Sequence, residues 1–322
     1  MLDIITIGSA TRDVFLLSDE FQLIKTPASA TGVLECVPLG SKIEVDRIVH
    51  TTGGGATNAA VTFAQLGFRT AAMCRVGDDD AGGDVIHELR AYGVKTDLVQ
   101  KVEDGQTAYS TLLTAMSGER SVLVYRGVSA SFKDADIPWR KLESQWIYLT
   151  SLGGNVALAQ KIIAHAAGKK ISVAWNPGLR EIAKGLSALR STLTHVAILI
   201  LNLEEATALA KTSNLKKIFN TLSQSGKILV ITDGENGAYV HRDGLTLKAN
   251  TTGKKSVSRT GAGDAFGSGF VAGFIRSDDL HQALAVGMLN AESVIQHVGA
   301  KLGILDTWPT KKEMVKVRIQ KI

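Results

Sequence analysis

The run Ser258-Arg259-Thr260-Gly261-Ala262-Gly263-Asp264, continuing into AFGSGFVAGFIR, carries the residue types best suited to chemistry in this chain. Phe266, Phe270 and Phe274, with Val271 and Ile275, recur at helical spacing, so the pattern predicts a helix that starts near Gly263 and buries one face. Its first turn is almost bare of side chains. Uncovered backbone N–H groups and the positive end of the helix dipole coincide there, a combination suited to a phosphate-sized anion. Asp264 lies in the same turn, where helix capping alone accounts for an acid. Beside an anion hole, however, a carboxylate repels the anion unless it faces a hydroxyl that must lose its proton. An anion hole at Gly261, Ala262 and Gly263 with Asp264 as general base supplies the two parts that phosphoryl transfer to an alcohol needs. Gly267, Gly269 and Gly273 each cost about 1 kcal/mol against alanine inside a helix. A close backbone approach to a ligand or a neighbouring strand is expected to offset that cost.

Such a turn needs a strand edge and a packed helix behind it. Short apolar runs alternate with helix-length amphipathic segments, the pattern of a mostly parallel sheet with helices on its faces. Strands are expected at 4–8, 71–76, 146–149, 171–175, 196–201 and 228–232, and helices at 56–66, 83–92, 156–166, 204–210 and 280–297. Two stretches break the rhythm. Residues 33–37 and 43–49 read as strands, and 107–125 holds two β-rich runs around the turn signal Ser117-Gly118-Glu119. Together they predict a small second sheet over the strand ends, a lid that excludes water from whatever binds beneath. The expected division is a core of residues 1–14, 51–104 and 127–322 and a lid of 15–50 and 105–126. Near the end of the chain, Val315, Val317 and Ile319 alternate with Lys316, Arg318 and Gln320, which predicts an edge strand over 314–322.

The run Thr260-Gly261-Ala262-Gly263-Asp264 resembles the C-terminal signature of the PfkB, or ribokinase-like, family of carbohydrate and nucleoside kinases. A second signature of that family, Gly-Gly followed by Asn, matches Gly53-Gly54-Gly55-Ala56-Thr57-Asn58, which leads into AAVTFAQLG. The resemblance implies a three-layer α/β/α core with a mostly parallel sheet and a small β lid. It also implies ATP-dependent phosphorylation of a sugar or, on the same scaffold, of a nucleoside. Asp264 would deprotonate the acceptor hydroxyl, and Gly261, Ala262 and Gly263 would hold the transferred phosphoryl group. Gly53 and Gly54 supply backbone freedom to wrap a polar sugar, and Asn58 offers both donor and acceptor, although Asn58 also suits a helix N-cap. Asp13, in Gly8-Ser9-x-x-x-Asp13 after the first strand, is implied to grip sugar hydroxyls; beginning a turn is its plainer role.

Further matches point to the nucleotide. Asn202-Leu203-Glu204-Glu205 corresponds to the family's Asn-x-x-Glu motif, implying that Asn202 and Glu205 orient Mg²⁺ through water and ATP phosphates, without a direct set of protein ligands. The same four residues are equally a capping box. Thr232, Gly234 and Gly237 fit the family's nucleotide loop, Asn176 its Asn-Pro element, and Asn250 and Gly253 the region around adenine. Ser258 stands where the signature has Asp, so a monovalent cation is expected to matter little, with Arg259 supplying positive charge nearby. Tyr125-Arg126 resembles a pair in 2-keto-3-deoxygluconate kinases, and Arg126 suits a carboxylate or phosphate. An exposed arginine at a lid junction is the alternative, and Arg12 and Arg75 are equally able anion readers.

Exclusions narrow the field. No Walker A sequence is present, so ATP would be held without a P-loop, and no G-x-G-x-x-G follows the first strand, against a dinucleotide oxidoreductase. A non-catalytic sugar-binding regulator remains the third class, with the intact Asp264 against it. The 322 residues are 45% hydrophobic and 21% charged, enough for a large core. The charge excess of +5 is weighted to the tail, so nucleic acid is not an expected partner. Cys36 and Cys74 alone make neither a disulfide framework nor a four-ligand zinc site. The start MLDIITIGSA has no basic leader region, and the longest apolar run, 196–201, is far below the roughly 18 residues of a membrane span. A cytoplasmic protein without a membrane partner is expected. Val33, Leu34, Val37, Ile43 and Val45 exceed what one small sheet hides, which predicts a homodimer joined lid to lid.

Overall fold

Six parallel strands lie side by side in the order Thr70–Met73, Leu2–Ile7, Ser144–Leu149, Ser172–Trp175, Ile198–Asn202 and Ile228–Thr232. Three antiparallel strands, Ala238–Arg242, Leu245–Ala249 and Ile319–Lys321, extend this sheet to nine. The computed structural model describes residues 1–29, 32–115 and 120–322, so the expected turn at 117–119 lies outside the described residues. The parallel strands are nearly continuous apolar runs because helices cover both faces. Along the first strand Ile5 and Ile7 enter one core and Ile4 the other, the two-residue period of a strand. The helices Val156–Gly168, Leu186–Leu193, Leu203–Ala210 and Leu215–Leu222 close the first face, around Leu149, Trp175, Leu201 and Ile231. Gly55–Gln65, Ala262–Ser277 and Leu280–Val294 close the second, around Tyr148, Ile200, Val230 and Phe270. This is the expected three-layer α/β/α core.

The second sheet has four strands in the order Arg120–Tyr125, Ala108–Thr114, Thr11–Leu17 and Arg47–Gly53. Thr11 pairs with Gly53 and Leu17 with Arg47, so the strand expected at 43–49 falls four residues later. The sheet's strands begin at Thr11 and run to Gly53, across the expected boundaries at 14/15 and 50/51. Gln22–Lys25 and Val33–Cys36 form a separate exposed hairpin.

Two further expectations are corrected. The single strand at 71–76 is two, Thr70–Met73 and Arg75–Gly77, because after Cys74 the chain leaves the large sheet and pairs with Gln100–Val102. The edge strand expected over 314–322 shrinks to Ile319–Lys321. Thr310 and Glu313 form a reciprocal capping box that starts a helical turn, Lys311–Met314, leaving Val315 exposed while Val317 is buried.

Candidate active site

The two sheets meet at a cluster of side chains drawn from four distant segments. Asp13 lies on Thr11–Leu17, in register between Thr51 and Ser110 of its neighbours, and is buried. Thr11 Oγ1 donates to its Oδ1 at 2.8 Å. A side chain at Gly53 would strike the Asp13 carboxylate, and one at Gly54 would come within 2.5 Å of the Ser9 carbonyl oxygen. With φ at +101°, Gly54 occupies a conformation that only glycine adopts freely, and it starts the helix Gly55–Gln65. Asn58 lies inside that helix, its amide bonded to Gly54 O, so it is not the N-cap. Its Nδ2 instead donates to Asp264 Oδ2 at 2.8 Å, across 206 residues of sequence.

Asp264 is in the first turn of Ala262–Ser277, as the apolar spacing predicts. Gly261 caps this helix with φ at +80°, and a side chain there would collide with Ala300. Ala265 N is the first amide to reach a helical acceptor, Gly261 O at 2.8 Å, while Ala262 N reaches Arg259 O at 3.3 Å. The amides of Gly261, Gly263 and Asp264 have no partner among the described residues. Nearby Thr260 Oγ1, Thr51 Oγ1 and Asn58 Oδ1 are buried and unpartnered. Buried polar atoms are usually satisfied, so this group has the character of a ligand site. Burial pushes the Asp264 carboxyl above the usual range, Asn58 and Lys301 pull it down, and Asp13 pushes it up. Asp13 is likewise raised by burial, against the hydrogen bonds from Thr11 and Ser110 and the charge of Lys301.

The helix glycines face something other than a ligand. A side chain at Gly273 would sit 2.7 Å from Ala283 Cα, and one at Gly269 would sit 3.1 Å from Gly287 Cα, so both let Leu280–Val294 pack closely. Only Gly267 meets the sheet, 2.5 Å from the Tyr148 hydroxyl. The neighbour is therefore chiefly a helix rather than the expected strand.

The second group runs along the C-terminal ends of the parallel strands, where such sheets place ligands. Asn176 Nδ2 donates to Ile200 O at 2.9 Å, and Asn202 is paired in register with Thr232. Asn202 Oδ1 accepts from Glu205 N at 2.8 Å and Glu205 Oε2 accepts from Asn202 N at 2.9 Å, a reciprocal capping box. Burial raises the Glu205 carboxyl. Gly234 and Gly237 shape the turn after Ile228–Thr232, with Gly237 backed against the Ala249 carbonyl. Asn250 N donates to Arg318 O at 3.0 Å, and Gly253 is exposed beyond it. A cleft of about 200 Å³ beside this segment is lined by Thr252, Lys254, Leu289, Glu292, Gln296 and Lys316.

Of the anion readers, Arg126 is exposed and lines a cleft of about 100 Å³ with Ser9, Thr11, Ser129 and Ser151, while Arg12 lines a larger one of about 520 Å³ with His50, Gln106, Tyr109 and Tyr125. Arg12 is held by Asp84, and Arg75 is buried on Ser131 and 3.1 Å from Asp136. Arg259 pairs with Glu235 of the glycine turn, while Ser258 is buried and its Oγ accepts from Thr260 N at 3.3 Å. Among the described residues no three His, Cys, Asp or Glu side chains are grouped to hold a metal ion.

Two buried residues had no signal in the sequence. Glu181 accepts from Leu152 N at 2.8 Å, Gly154 N at 2.9 Å, Ser151 Oγ at 2.9 Å and Gly178 N at 3.1 Å, fixing the loop beside the Arg126 cleft. Lys301 Nζ, 4% exposed as a residue, donates to Thr52 O at 2.7 Å and Thr52 Oγ1 at 2.6 Å, and lies 3.2 Å from Glu88 Oε2. Neither belongs to a periodic pattern; only the packing of distant loops buries them.

Residues 1–308 match the pfkB family of carbohydrate kinases. The chain belongs to that family. It is thus a kinase, and its two sheets are those of the ribokinase fold. The nucleoside kinase of Methanocaldococcus jannaschii, described as an archaeal member of the ribokinase family, superposes with a TM-score of 0.75 at 18% identity, over 98% of each chain. The nucleoside kinase of Methanothermobacter thermautotrophicus is 25% identical to this pfkB kinase over 95% of this chain and 93% of its own. The ATP-dependent ribose-1-phosphate kinase of Halopiger xanaduensis is 31% identical over 74% of this chain and 80% of its own. Among the described residues no helix is long and apolar enough to cross a membrane.

Proposed function

We propose that this pfkB kinase transfers the terminal phosphoryl group of ATP to a hydroxyl of a small sugar or sugar-like substrate, with Asp264 as general base. The hydrogen bond between Asn58 and Asp264 carries this reading, because it joins the two signature segments and sets the acid beside the open amides of Gly261 and Gly263. Those amides and the unpartnered Thr260 Oγ1 fit a phosphate. Bound MgATP supplies the phosphoryl group and the charge neutralisation that its transfer needs.

Each residue then has a task. Asp13, Gly53, Gly54 and Asn58 hold the acceptor, and Asn58 fixes one Asp264 oxygen while the other faces the hydroxyl. Asp264 takes the proton as the oxygen–phosphorus bond forms and the bond to the leaving diphosphate breaks. The Gly261 and Gly263 amides meet the charge on the moving group, with Ala262 maintaining the turn. Asn176, Asn202, Glu205, Thr232, Gly234 and Gly237 border the phosphates, and Mg²⁺ is met through water near Asn202 and Glu205. Asn250 and Gly253 lead to the cleft for the base. The second sheet acts as a lid, with two lids joined in a homodimer. Ser258 leaves the turn without a carboxylate, so exchanging Na⁺ for K⁺ is expected to change the rate little.

Sugars, sugar acids, sugar phosphates and nucleosides are the acceptor classes, and the exposed Arg126 guanidinium favours those that carry an anionic group. A screen of ADP release and thermal shift across these four classes with MgATP tests the reading. Turnover of a sugar that is lost in Asp264→Asn supports it. Binding that survives this substitution with no turnover in the natural chain would instead favour a sugar-binding regulator.

A further inference from the structure

Lys301 is a buried cation that no step above uses. It follows Ala300, the residue on which Gly261 rests, so the floor of the open amides continues directly into this side chain. Its ammonium is anchored to Thr52, which precedes Gly53 and neighbours Asp13's partner Thr51 on the second sheet. One lysine thus ties the capping turn of Ala262–Ser277 to the strand end that cradles the acceptor.

The charges around it are unequal. Glu88, from Asp80–Ala91, is its ion-pair partner and also accepts from Thr52 Oγ1. Asp13 from Thr11–Leu17 and the neutral thiol of Cys74 also face it, and Asp264 feels its charge from the far side. Asp264 is faced in turn by Asn58, Asp13 and the Tyr148 hydroxyl. Asp13 and Asp264 are like charges in one half-dry site, where both cannot ionise cheaply without a nearby cation.

We propose that Lys301 is a positioning residue for the phosphoryl transfer: a built-in counter-ion that lets Asp13 and Asp264 be ionised together, with Glu88 tempering its charge. The role rests on the proposed reading of Asp264 as base, so the test has one arm without turnover. In protein labelled with carboxyl-¹³C aspartate, assigned through Asp13→Asn and Asp264→Asn, the Asp264 resonance is followed against pH. Lys301→Met is expected to move its titration to higher pH, Glu88→Gln to lower pH, and Lys301→Arg to leave it near the natural position. Where a turnover substrate is in hand, Lys301→Met should lose about tenfold more kcat/KM between pH of about 8.5 and about 6 than the natural chain does. Glu88→Gln should lose less. If Lys301→Met does not fold, the Glu88→Gln shift alone decides. Unmoved titrations in folded variants would overturn the counter-ion role. Moved titrations without turnover on any acceptor would leave it standing and remove the kinase chemistry instead.

Discussion

Asp13 and Asp264 hold carboxylates where water has been largely removed, and each is raised above its ordinary value chiefly by that burial. An acid whose folded-state value is raised contributes stability at pH below its unfolded value and loses it as pH rises through the folded value. Above that window both residues therefore weaken the fold that needs them. Asp264→Asn keeps an acceptor for Asn58 and removes the charge. We expect turnover to fall by about 10²–10⁴, while the melting temperature rises near neutral pH and the gain vanishes in acid, below the unfolded carboxylate range. Paired thermal melts and rates would check this. An Asp264→Asn chain no more stable than the natural one at neutral pH would mean that the charge is not strained. The recognition that leads to Asp264 was legible in sequence because the turn that carries it, Thr260-Gly261-Ala262-Gly263, is contiguous with it, although its partner Asn58 lies 206 residues away. Lys301 was not, because its neighbours Thr52 and Glu88 are far away in the chain and nothing in the pattern around Gly299-Ala300 marks burial.

The helix Ala262–Ser277 carries two kinds of glycine, and substituting each gives a different result. At Gly273 an added methyl meets Ala283 Cα at 2.7 Å, backbone that cannot turn aside. The gain of about 1 kcal/mol in helix propensity is set against an overpacking cost of about 1–3 kcal/mol, so Gly273→Ala should lower stability and, at permissive temperature, spare activity. Gly263 has open space around it. Gly263→Ala should fold at least as stably, yet the methyl stands beside the free amides and should reduce turnover by about tenfold or more. Denaturant titrations and rates on both variants separate the two; a Gly263→Ala chain with undiminished turnover would argue against phosphate at this turn. The cost of glycines in a helix was visible from composition alone. That Leu280–Val294 is what they admit follows from which helices share a sheet face, which a periodic pattern does not specify. The end of the chain teaches the same point: the alternation over 315–320 fits a strand, but the capping box at Thr310 and Glu313 acts first and draws 315–317 into turn hydrogen bonds, leaving only Ile319–Lys321 to pair.

At the level of the whole chain, the second sheet turns the Asp13 face toward the large sheet, while its other face packs on Asp80–Ala91 through Arg12 and Thr52 and is exposed farther out, along Arg120–Tyr125. Register assigns Arg12, Thr52, Tyr109 and Tyr125 to one row of this second face and Val14, Thr111, Leu123 and His50 to the next, with Thr52 and Val14 buried and the outer strand exposed. Leu123 is 60% exposed, and Tyr125, Tyr109 and Ile48 are exposed beside it, with Leu23, Ile24 and Leu34 on the adjoining hairpin. A strand whose residues 122–125 are all exposed apolar side chains is poorly protected as a monomer's edge. Two such faces packed together would bury them, and a stable pair needs roughly 1,000 Å² or more of contact. Leu123 points away from Asp13 and the Arg126 cleft, so Leu123→Glu introduces charge into the proposed contact without touching the site. Sedimentation at micromolar concentration should give twice the chain mass for the natural protein and the single-chain mass for Leu123→Glu. A natural chain that sediments as a monomer would leave these side chains exposed in solution and remove the lid-to-lid pairing, while the chemistry assigned to Asp264 would stand.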